Sequence, residues 1–252
     1  MILRRLVDNL RQQHWTGVLI ELVIVVLGVF IGLQVDNWND DRRDRETEVG
    51  YLADLQQDVD YSTRSLEHQI GKTTEQQGDR KALYDFATDP DRTLEPAERD
   101  RLLNSGLFMI SSLNISEVTF ETMKSSGRLA LVHSRPLVSE LQALQAAIER
   151  ARRAEADEGQ LTYLFSDPIL VDNVDMAGVF RQSGGKQSLW LGDAPDVAPT
   201  PAVMKTQRFA NVVLYKAKVT ELRLGGLRKL LESCRHIAVL ISQRQAELRV
   251  KP

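Results

Sequence analysis

An apolar stretch near the N-terminus constrains this 252-residue chain more than any other feature. From Gly17 to Val35 it reads GVLIELVIVVLGVFIGLQV, and its only strongly polar side chains are Glu21 and Gln34. An α-helix rises about 1.5 Å per residue, so a helix over this stretch is roughly 28 Å long and matches the hydrocarbon core of a bilayer. We therefore predict a transmembrane helix, with the lipid bilayer as its first partner.

The residues that bracket the stretch suit the two membrane interfaces. Trp15 and Trp38 stand at its ends, where tryptophan is enriched, and Asn37 precedes the second of them. We place the transmembrane helix at residues 15–38. A cleaved signal peptide is the main alternative, but its apolar core is shorter and ends in a small-residue cleavage site. A core helix of a soluble domain is the other, and such helices are rarely aliphatic on every face.

Orientation depends on the basic residues that flank the stretch, and these are equal in number on its two sides. They are Arg4, Arg5 and Arg11 before it, and Arg42, Arg43 and Arg45 after it. Acidic residues contribute little to topology. Because the basic leader is short, we predict a cytoplasmic N-terminus and a C-terminal domain on the other side of the membrane. Residues 1–14 also alternate apolar and basic positions at helical spacing, which predicts a short amphipathic helix on the inner leaflet.

Composition narrows the remaining possibilities. The net charge of −3, from 32 basic and 35 acidic residues, argues against a nucleic-acid-binding protein, which normally has a clear basic excess. The single cysteine, Cys234, excludes an intrachain disulfide framework and a zinc site built on several thiolates. The four histidines form no metal-binding spacing, and no nucleophile or phosphate-loop motif is present. We predict no catalytic residue, no metal site and no cofactor, and therefore no enzyme.

Residues 39–252 show helical periodicity without an alternating strand pattern longer than four residues. A heptad-like stripe, typical of a coiled coil, predicts a helix from about residue 40 to 77, with breaks at Gly78 and at residues 88–90. A second stripe predicts a last helix from about residue 201 to 248, with Gly225 and Gly226 as a candidate kink. The first stripe is Val49, Leu52, Leu55, Val59, Leu66 and Ile70, and the second is Phe209, Val212, Tyr215, Val219, Leu222, Leu227, Leu230, Cys234, Ile237 and Ile241.

Shorter helices are expected between these two. Pro96 is placed as a first helical residue, Gly127 as the cap that follows a helix over residues 117–126, and Ser134 as the start of a helix that reaches about Glu158. Residues 166–201 are rich in Gly and Pro and predict a long irregular loop, either a plain connection or a binding element, with a short helix near residues 172–180. The predicted fold is all-α: one transmembrane helix followed by an extramembrane antiparallel helical bundle with long first and last helices.

Glu21 is the most informative single residue, because an ionisable group inside a membrane span is costly and tends to face protein. At helical spacing it shares a face with Gly28 and Gly32, which form a small-xxx-small motif that lets two helices approach closely. The face predicts association with another copy or with another membrane protein. Alternatively, Glu21 lies close enough to the interface for its carboxylate to reach water, and it then has no role.

Two segments resemble a known family. The segment from Glu21 to Asn39 resembles the signature of an uncharacterised bacterial single-pass membrane family, a domain of unknown function, of the form E-x-V-x-V-V-x-G-x-x-I-x-L-Q-x-x-N-W-N. Residues 119–132, with Ser-Ser-Gly before a leucine pair, are similar to its second recurrent stretch. The sequence departs from the family at Gly32, where alanine is commoner, and at Asp36, usually asparagine. The resemblance implies a bacterial inner-membrane anchor, draws attention to Glu21, Gln34, Asn37 and Trp38, and implies no activity.

Three functional hypotheses follow. The first is a non-enzymatic, membrane-anchored helical scaffold or partner-docking protein that oligomerises through its transmembrane helix. The second is an ion- or proton-coupled subunit of an inner-membrane complex that uses Glu21. The third is a ligand-binding sensor domain, which would need a separate output module because only about fourteen residues precede the membrane span.

Two structures are possible for the junction that follows the transmembrane span. The residues from Asp36 to Asp41 are poor helix formers that favour a break and a new helix cap. The charged residues that follow supply favourable i,i+3 and i,i+4 pairs, which favour one continuous helix from the span into the bundle. We predict the continuous helix.

Overall fold

A computed structural model describes residues 15–181 and 199–250, with side chains from Leu22 onward. Within these ranges every regular element is helical and no strand occurs, which confirms the all-α prediction. The α-helices are α1 (Trp15–Thr88), α2 (Pro96–Leu103), α3 (Val118–Ser125), α4 (Arg135–Leu161), α5 (Asp167–Asn173), α6 (Met176–Arg181) and α7 (Gln207–Val250). Two π-helical turns, Asn104–Phe108 and Thr162–Ser166, follow α2 and α4, and two 3₁₀ turns occupy Arg128–Leu131 and Ala202–Lys205.

Helix α1 runs without interruption through residues 36–41, so the predicted continuous helix is confirmed. The chain nevertheless divides into two compact units, the first ending at Tyr51 and the second beginning at Leu52. In the first unit all side chains from Leu22 to Glu46 are exposed. Its polar part is supported by ion pairs along the helix, between Arg42 and Glu46 at 3.1 Å and between Asp40 and Arg43 at 3.8 Å.

The second unit is a bundle built around three long helices, namely α4, α7 and the part of α1 from Leu52. Side-chain hydrogen bonds show the relative directions of these helices. Later residues of α1 and of α4 pair with earlier residues of α7. Helix α7 therefore runs antiparallel to both α1 and α4, as predicted. The pairs are Glu67–Arg235 and Gln77–Ala217 between α1 and α7, and Glu140–Ser233 and Glu158–Arg223 between α4 and α7.

An apolar cluster lies at one end of the bundle, where the end of α1 meets the shorter helices and the start of α7. Burial of such a cluster is the main stabilising term for a domain of this size. Its buried members are Leu83, Phe86, Ala87, Leu102, Leu103, Leu107, Ile169, Leu170, Val179, Met204, Phe209, Ala210 and Val213. Helices α5 and α6 therefore belong to the core rather than to a surface connection.

Two predicted boundaries are wrong, and the core cluster explains both. Gly78 does not end the first helix, which continues to Thr88 because Leu83 and Phe86 pack in the cluster and outweigh the modest helix penalty of one glycine. The predicted irregular loop at residues 166–201 starts too early, since α5 and α6 occupy residues 167–181. Pro168 lies in the first turn of α5, where a proline needs no helical hydrogen bond. Residues 182–198 lie outside the described part of the chain.

Several local signals are confirmed. Pro96 occupies the first turn of α2. Gly127 adopts a left-handed conformation with φ of +72° after α3, which side chains other than glycine rarely accept.

The last helix differs from its prediction, since it starts at Gln207 rather than near residue 201. It is continuous through Gly225 and Gly226.

The predicted apolar stripe on α7 is buried in its second half, whereas in its first half only Phe209 is fully buried. Leu227, Leu230 and the three residues that follow them in the stripe are buried, including Cys234. Tyr215 and Leu222 are exposed, because the buried face of the first half carries Lys216, Thr220 and Arg223 instead. Periodicity of apolar residues does not detect a face that is buried and polar.

The observed burial along α7 allows a buried leucine and an exposed leucine of the same helix to be compared. Leu227 is 2% exposed and Leu222 is 67% exposed. We expect Leu227→Ala to lower the free energy of unfolding by about 2–5 kcal/mol, because it leaves a cavity in the core. Leu222→Ala should change it by less than about 0.5 kcal/mol. Chemical unfolding of the full chain in mild detergent measures both, and equal effects would show that the phase is misassigned.

Candidate functional site: a buried ion network beside an open groove

The residues singled out in the apolar stretch all lie on the backbone of α1. Gly28 and Gly32 are one turn apart, and a Cβ built on either would meet nothing within 4 Å. Gln34, Asn37 and Trp38 are exposed. The side chains of Trp15 and Glu21, and residues 1–14, lie outside the described part of the structure. The structure therefore places these residues on one helix and shows no packing partner for those it describes.

Helix α1 is the one described helix that is long and apolar enough to cross a membrane. Its most apolar window has a mean hydropathy of 1.6, and none of that window is buried. A core helix of a soluble protein with these properties would normally be covered by other helices. Length and composition thus agree with a membrane span, which remains a prediction.

A second set of residues, which the sequence did not reveal, forms a buried ion network in the second unit. Four side chains from α1, α4 and α7 are linked by hydrogen bonds and ion pairs, and Lys216 of α7 lies close enough to Arg80 and Glu158 to interact with them electrostatically. Arg80 and Thr220 are fully buried, and the other three are no more than 8% exposed. Charged groups are almost never buried this deeply unless they are paired. The network consists of Arg80, Glu158, Lys216, Thr220 and Arg223.

Glu158 is the centre of the network. Its Oε2 accepts a hydrogen bond from Nη1 of Arg223 at 2.9 Å, and its Oε1 accepts one from the Thr220 hydroxyl at 3.3 Å. Nη2 of Arg80 lies 3.6 Å from the same Oε1. Arg80 also donates from Nη1 to the Thr220 hydroxyl. One carboxylate of α4 therefore ties together α1 and α7.

The two π-helical turns supply the other partners of the network. A π turn shifts the backbone hydrogen bonds from i+4 to i+5, as seen for Met109 N–H to Asn104 O at 2.8 Å, and it leaves carbonyl groups free for other donors. Arg80 Nε donates to the carbonyl of Gly106 at 2.7 Å. Lys216 donates to the carbonyl of Leu107 in the same turn.

Lys216 also reaches the second π turn, where its Nζ donates to the Thr162 hydroxyl at 3.0 Å. Gly106 allows the close approach in the first turn, because a Cβ at that position would lie 3.0 Å from Cδ1 of Leu83. The cations of the network thus satisfy backbone groups that the widened turns expose. This accounts for buried charges in a part of the bundle that would otherwise be apolar.

Positive charge exceeds negative charge in the network. Arg80, Lys216 and Arg223 face the single buried carboxylate of Glu158, and Asp167 beside Lys216 is only partly buried. Burial lowers the pKa of Lys216 to about 8, and Arg80 adds to this effect by repulsion. Burial, with repulsion from Arg223, lowers the pKa of Arg80 to about 10. Desolvation raises the pKa of Asp167, against the attraction of Lys216.

An open groove of about 690 Å³ lies beside the network, between α4 and α7. Small residues on both helices create it, since alanines recur along α4 and two glycines face them from α7. Arg223 lines the groove and is also bonded to Glu158, so the groove adjoins the network. The small residues are Ala143, Ala147, Ala151 and Ala154 on α4, and Gly225 and Gly226 on α7.

The sequence contained a weak signal for the ion network and another for the groove. Lys216, Thr220 and Arg223 recur at i, i+4 and i+7, so they share one face of α7, which is in line with the buried apolar positions Phe209 and Val213. The alanines at residues 143, 147, 151 and 154 recur every three or four positions along α4. Neither signal could identify Arg80 or Glu158, because their burial depends on the packing of helices far apart in sequence.

Cys234 and the potential metal ligands are weaker candidates for a functional site. Cys234 is buried in the core, as predicted, and burial raises the pKa of its thiol to about 11, so the reactive thiolate is disfavoured. In the part of the chain that the structure describes, no group of three or more His, Cys, Asp or Glu residues could hold a metal ion. The ion network and the groove are therefore the candidate site, and its chemistry suits binding of an anion.

Comparison with known proteins gives no further guidance. No family model, no curated protein and no solved structure matches this chain. The resemblance of Glu21–Asn39 to a single-pass membrane family stays a prediction.

The lowered pKa of Lys216 makes stability depend on pH. The unfolded lysine has a pKa near 10.5 and the folded one about 8, so between these values the unfolded chain holds a proton that the folded chain lacks. The contribution of Lys216 to the free energy of unfolding therefore rises with pH across this window, and it is lost as the pH falls through 8.

Lys216→Met removes the titrating group and keeps the apolar side-chain length. We expect the unfolding free energy of the wild type, relative to this variant, to increase from pH 7.5 to 9.5 by up to about 1.4 kcal/mol per pH unit. Chemical unfolding of both full chains in mild detergent at the two pH values measures it. Because both chains are measured at each pH, the effects of titrating Cys234 and other groups on the free energy of unfolding largely cancel in the difference. A constant or decreasing difference would contradict the burial of a charged lysine.

Proposed function

We propose that this chain is a non-enzymatic, single-pass protein of the bacterial inner membrane, whose helical domain serves as a scaffold or docks a partner. One observation carries the proposal: the apolar side chains of α1 from Leu22 to Val35 are all exposed, on every face of the helix. A continuous exposed apolar surface of this size is unstable in water and is typical of a membrane-contacting segment.

The orientation that we propose has the N-terminus in the cytoplasm and the helical domain in the periplasm. The basic leader with Arg4, Arg5 and Arg11 supports it. The resemblance of residues 21–39 to a bacterial single-pass family points to the same membrane.

Within the membrane, we propose that α1 associates with a second copy or with another membrane protein through the face of Gly28 and Gly32. Both positions are open, and in lipid the close approach of two helices depends on small residues at their interface. Glu21 lies on the same face at helical spacing, where a partner helix would shield its carboxyl group from lipid.

Crosslinking of the full chain in native membranes tests this association. We expect dimers or larger species in the wild type, and we expect Gly28→Leu with Gly32→Leu to reduce them severalfold, because two leucines prevent close approach. The matched control is Val26→Leu with Phe30→Leu, which has the same spacing on the opposite face and should leave the crosslinked fraction unchanged. A wild type that is strictly monomeric, or equal losses in both variants, would contradict the proposal.

A further inference from the structure

The groove between α4 and α7 has the size and shape of a ligand site. Its volume of about 690 Å³ falls within the range of about 300–1,000 Å³ that small-molecule pockets occupy. Its floor is apolar, because alanines of α4 and glycines of α7 form it together with Leu227 and Leu230. A Cβ built on Gly225 or Gly226 would meet nothing within 4 Å, so the space above these residues is open.

Charged side chains line the groove, and its two acidic residues already have partners. Glu155 accepts a hydrogen bond from the backbone N–H of Leu113 at 2.9 Å, and Glu221 pairs with Lys218 at 2.8 Å. By contrast, Arg150 and Lys229 form no hydrogen bond or ion pair with any residue that the structure describes. Glu155 keeps its negative charge, but Arg150 and Lys229 outnumber it, so the net charge of the groove is positive.

Arg223 adds a second and independent sign of an anion site. It lines the groove, it is more than nine-tenths buried, and its Nη2 has no hydrogen-bond partner among the described residues. Buried donors without partners are rare in native proteins because each is costly. Together with Arg80 and Lys216 behind it, Arg223 gives the network three buried cations against one buried carboxylate, so the local potential favours a negative charge.

We propose that this groove binds an amphipathic organic anion, with a carboxylate or phosphate head beside Arg150, Arg223 and Lys229 and an aliphatic body against the small residues. The head balances the excess of positive charge at Arg223 and at the two unpaired cations of the groove. The body covers the apolar floor, which gains the free energy of apolar burial. The site lies wholly within the second unit and needs neither the membrane span nor its association.

Calorimetric titration tests the site on the full chain in nanodiscs of zwitterionic lipid, with empty nanodiscs as the blank. The probes are hexanoate and hexyl phosphate as amphipathic anions, hexan-1-ol as the neutral analogue, and acetate as a head without a body. We expect saturable binding of at least one amphipathic anion, at least tenfold tighter than that of hexan-1-ol and of acetate. The preference between hexanoate and hexyl phosphate identifies the head as a carboxylate or a phosphate.

Matched variants locate the binding. Gly226→Leu fills the groove, and we expect it to weaken binding of the preferred anion at least tenfold. Gly71→Leu is the control, since it makes the same substitution in open space on α1, outside the groove, and should leave binding unchanged. If Gly226→Leu lowers thermal stability, the exposed pair Arg150→Gln and Lys229→Gln replaces it, with an expected loss of at least threefold.

Three results would overturn the proposal. The first is an absence of saturable binding of both amphipathic anions. The second is equal affinity for hexanoate, hexyl phosphate and hexan-1-ol, which would show a merely apolar groove. The third is self-association of the chain that Gly226→Leu abolishes while no anion binds, which would assign the groove to a second copy.

Discussion

The position of a single carboxylate governs the packing of the second unit. Glu158 on α4 is the shared partner of Arg80 on α1 and of Arg223 and Thr220 on α7, so the three long helices meet at one point. Taking these charges out of water is unfavourable, and a well-packed apolar replacement of such a network is often neutral or stabilising. Removing one partner alone is strongly destabilising, because the others stay buried without compensation. We therefore expect the network to fix the alignment of the helices more than it adds to stability.

The buried charges of the network also connect the π turns to the groove. The widened turns at Asn104–Phe108 and Thr162–Ser166 present acceptors for Arg80 and Lys216, which brings cations into the bundle. With Arg223, the network holds three buried cations and the single buried carboxylate of Glu158, and Arg223 brings this excess of positive charge to the wall of the groove. The anion-binding site that we propose beside α4 and α7 rests on this charge balance, whereas the small residues of the two helices provide only the space.

Much of the architecture was predictable because it rests on local signals. The apolar stretch, the heptad-like stripe before Ile70, the proline that opens α2 and the glycine after α3 each act through neighbouring residues. The sequence misplaced elements where distant packing decides. Gly78 is tolerated because Leu83 and Phe86 are held in the core, and residues 167–181 are helical because Ile169, Leu170 and Val179 are buried there. The ion network went unpredicted for the same reason, since charged residues are by default assigned to the surface.

A double-mutant cycle between Glu158 and Arg223 tests the central role of the carboxylate most directly. The free energy of unfolding of the full chain in mild detergent is measured for the wild type, Glu158→Gln, Arg223→Met and the double variant. Because the two side chains share a buried ion pair at 2.9 Å, we predict a coupling free energy of about 1–3 kcal/mol, with Glu158→Gln less destabilising once Arg223 is already Met. Additive effects, with no coupling between the two positions, would contradict the account.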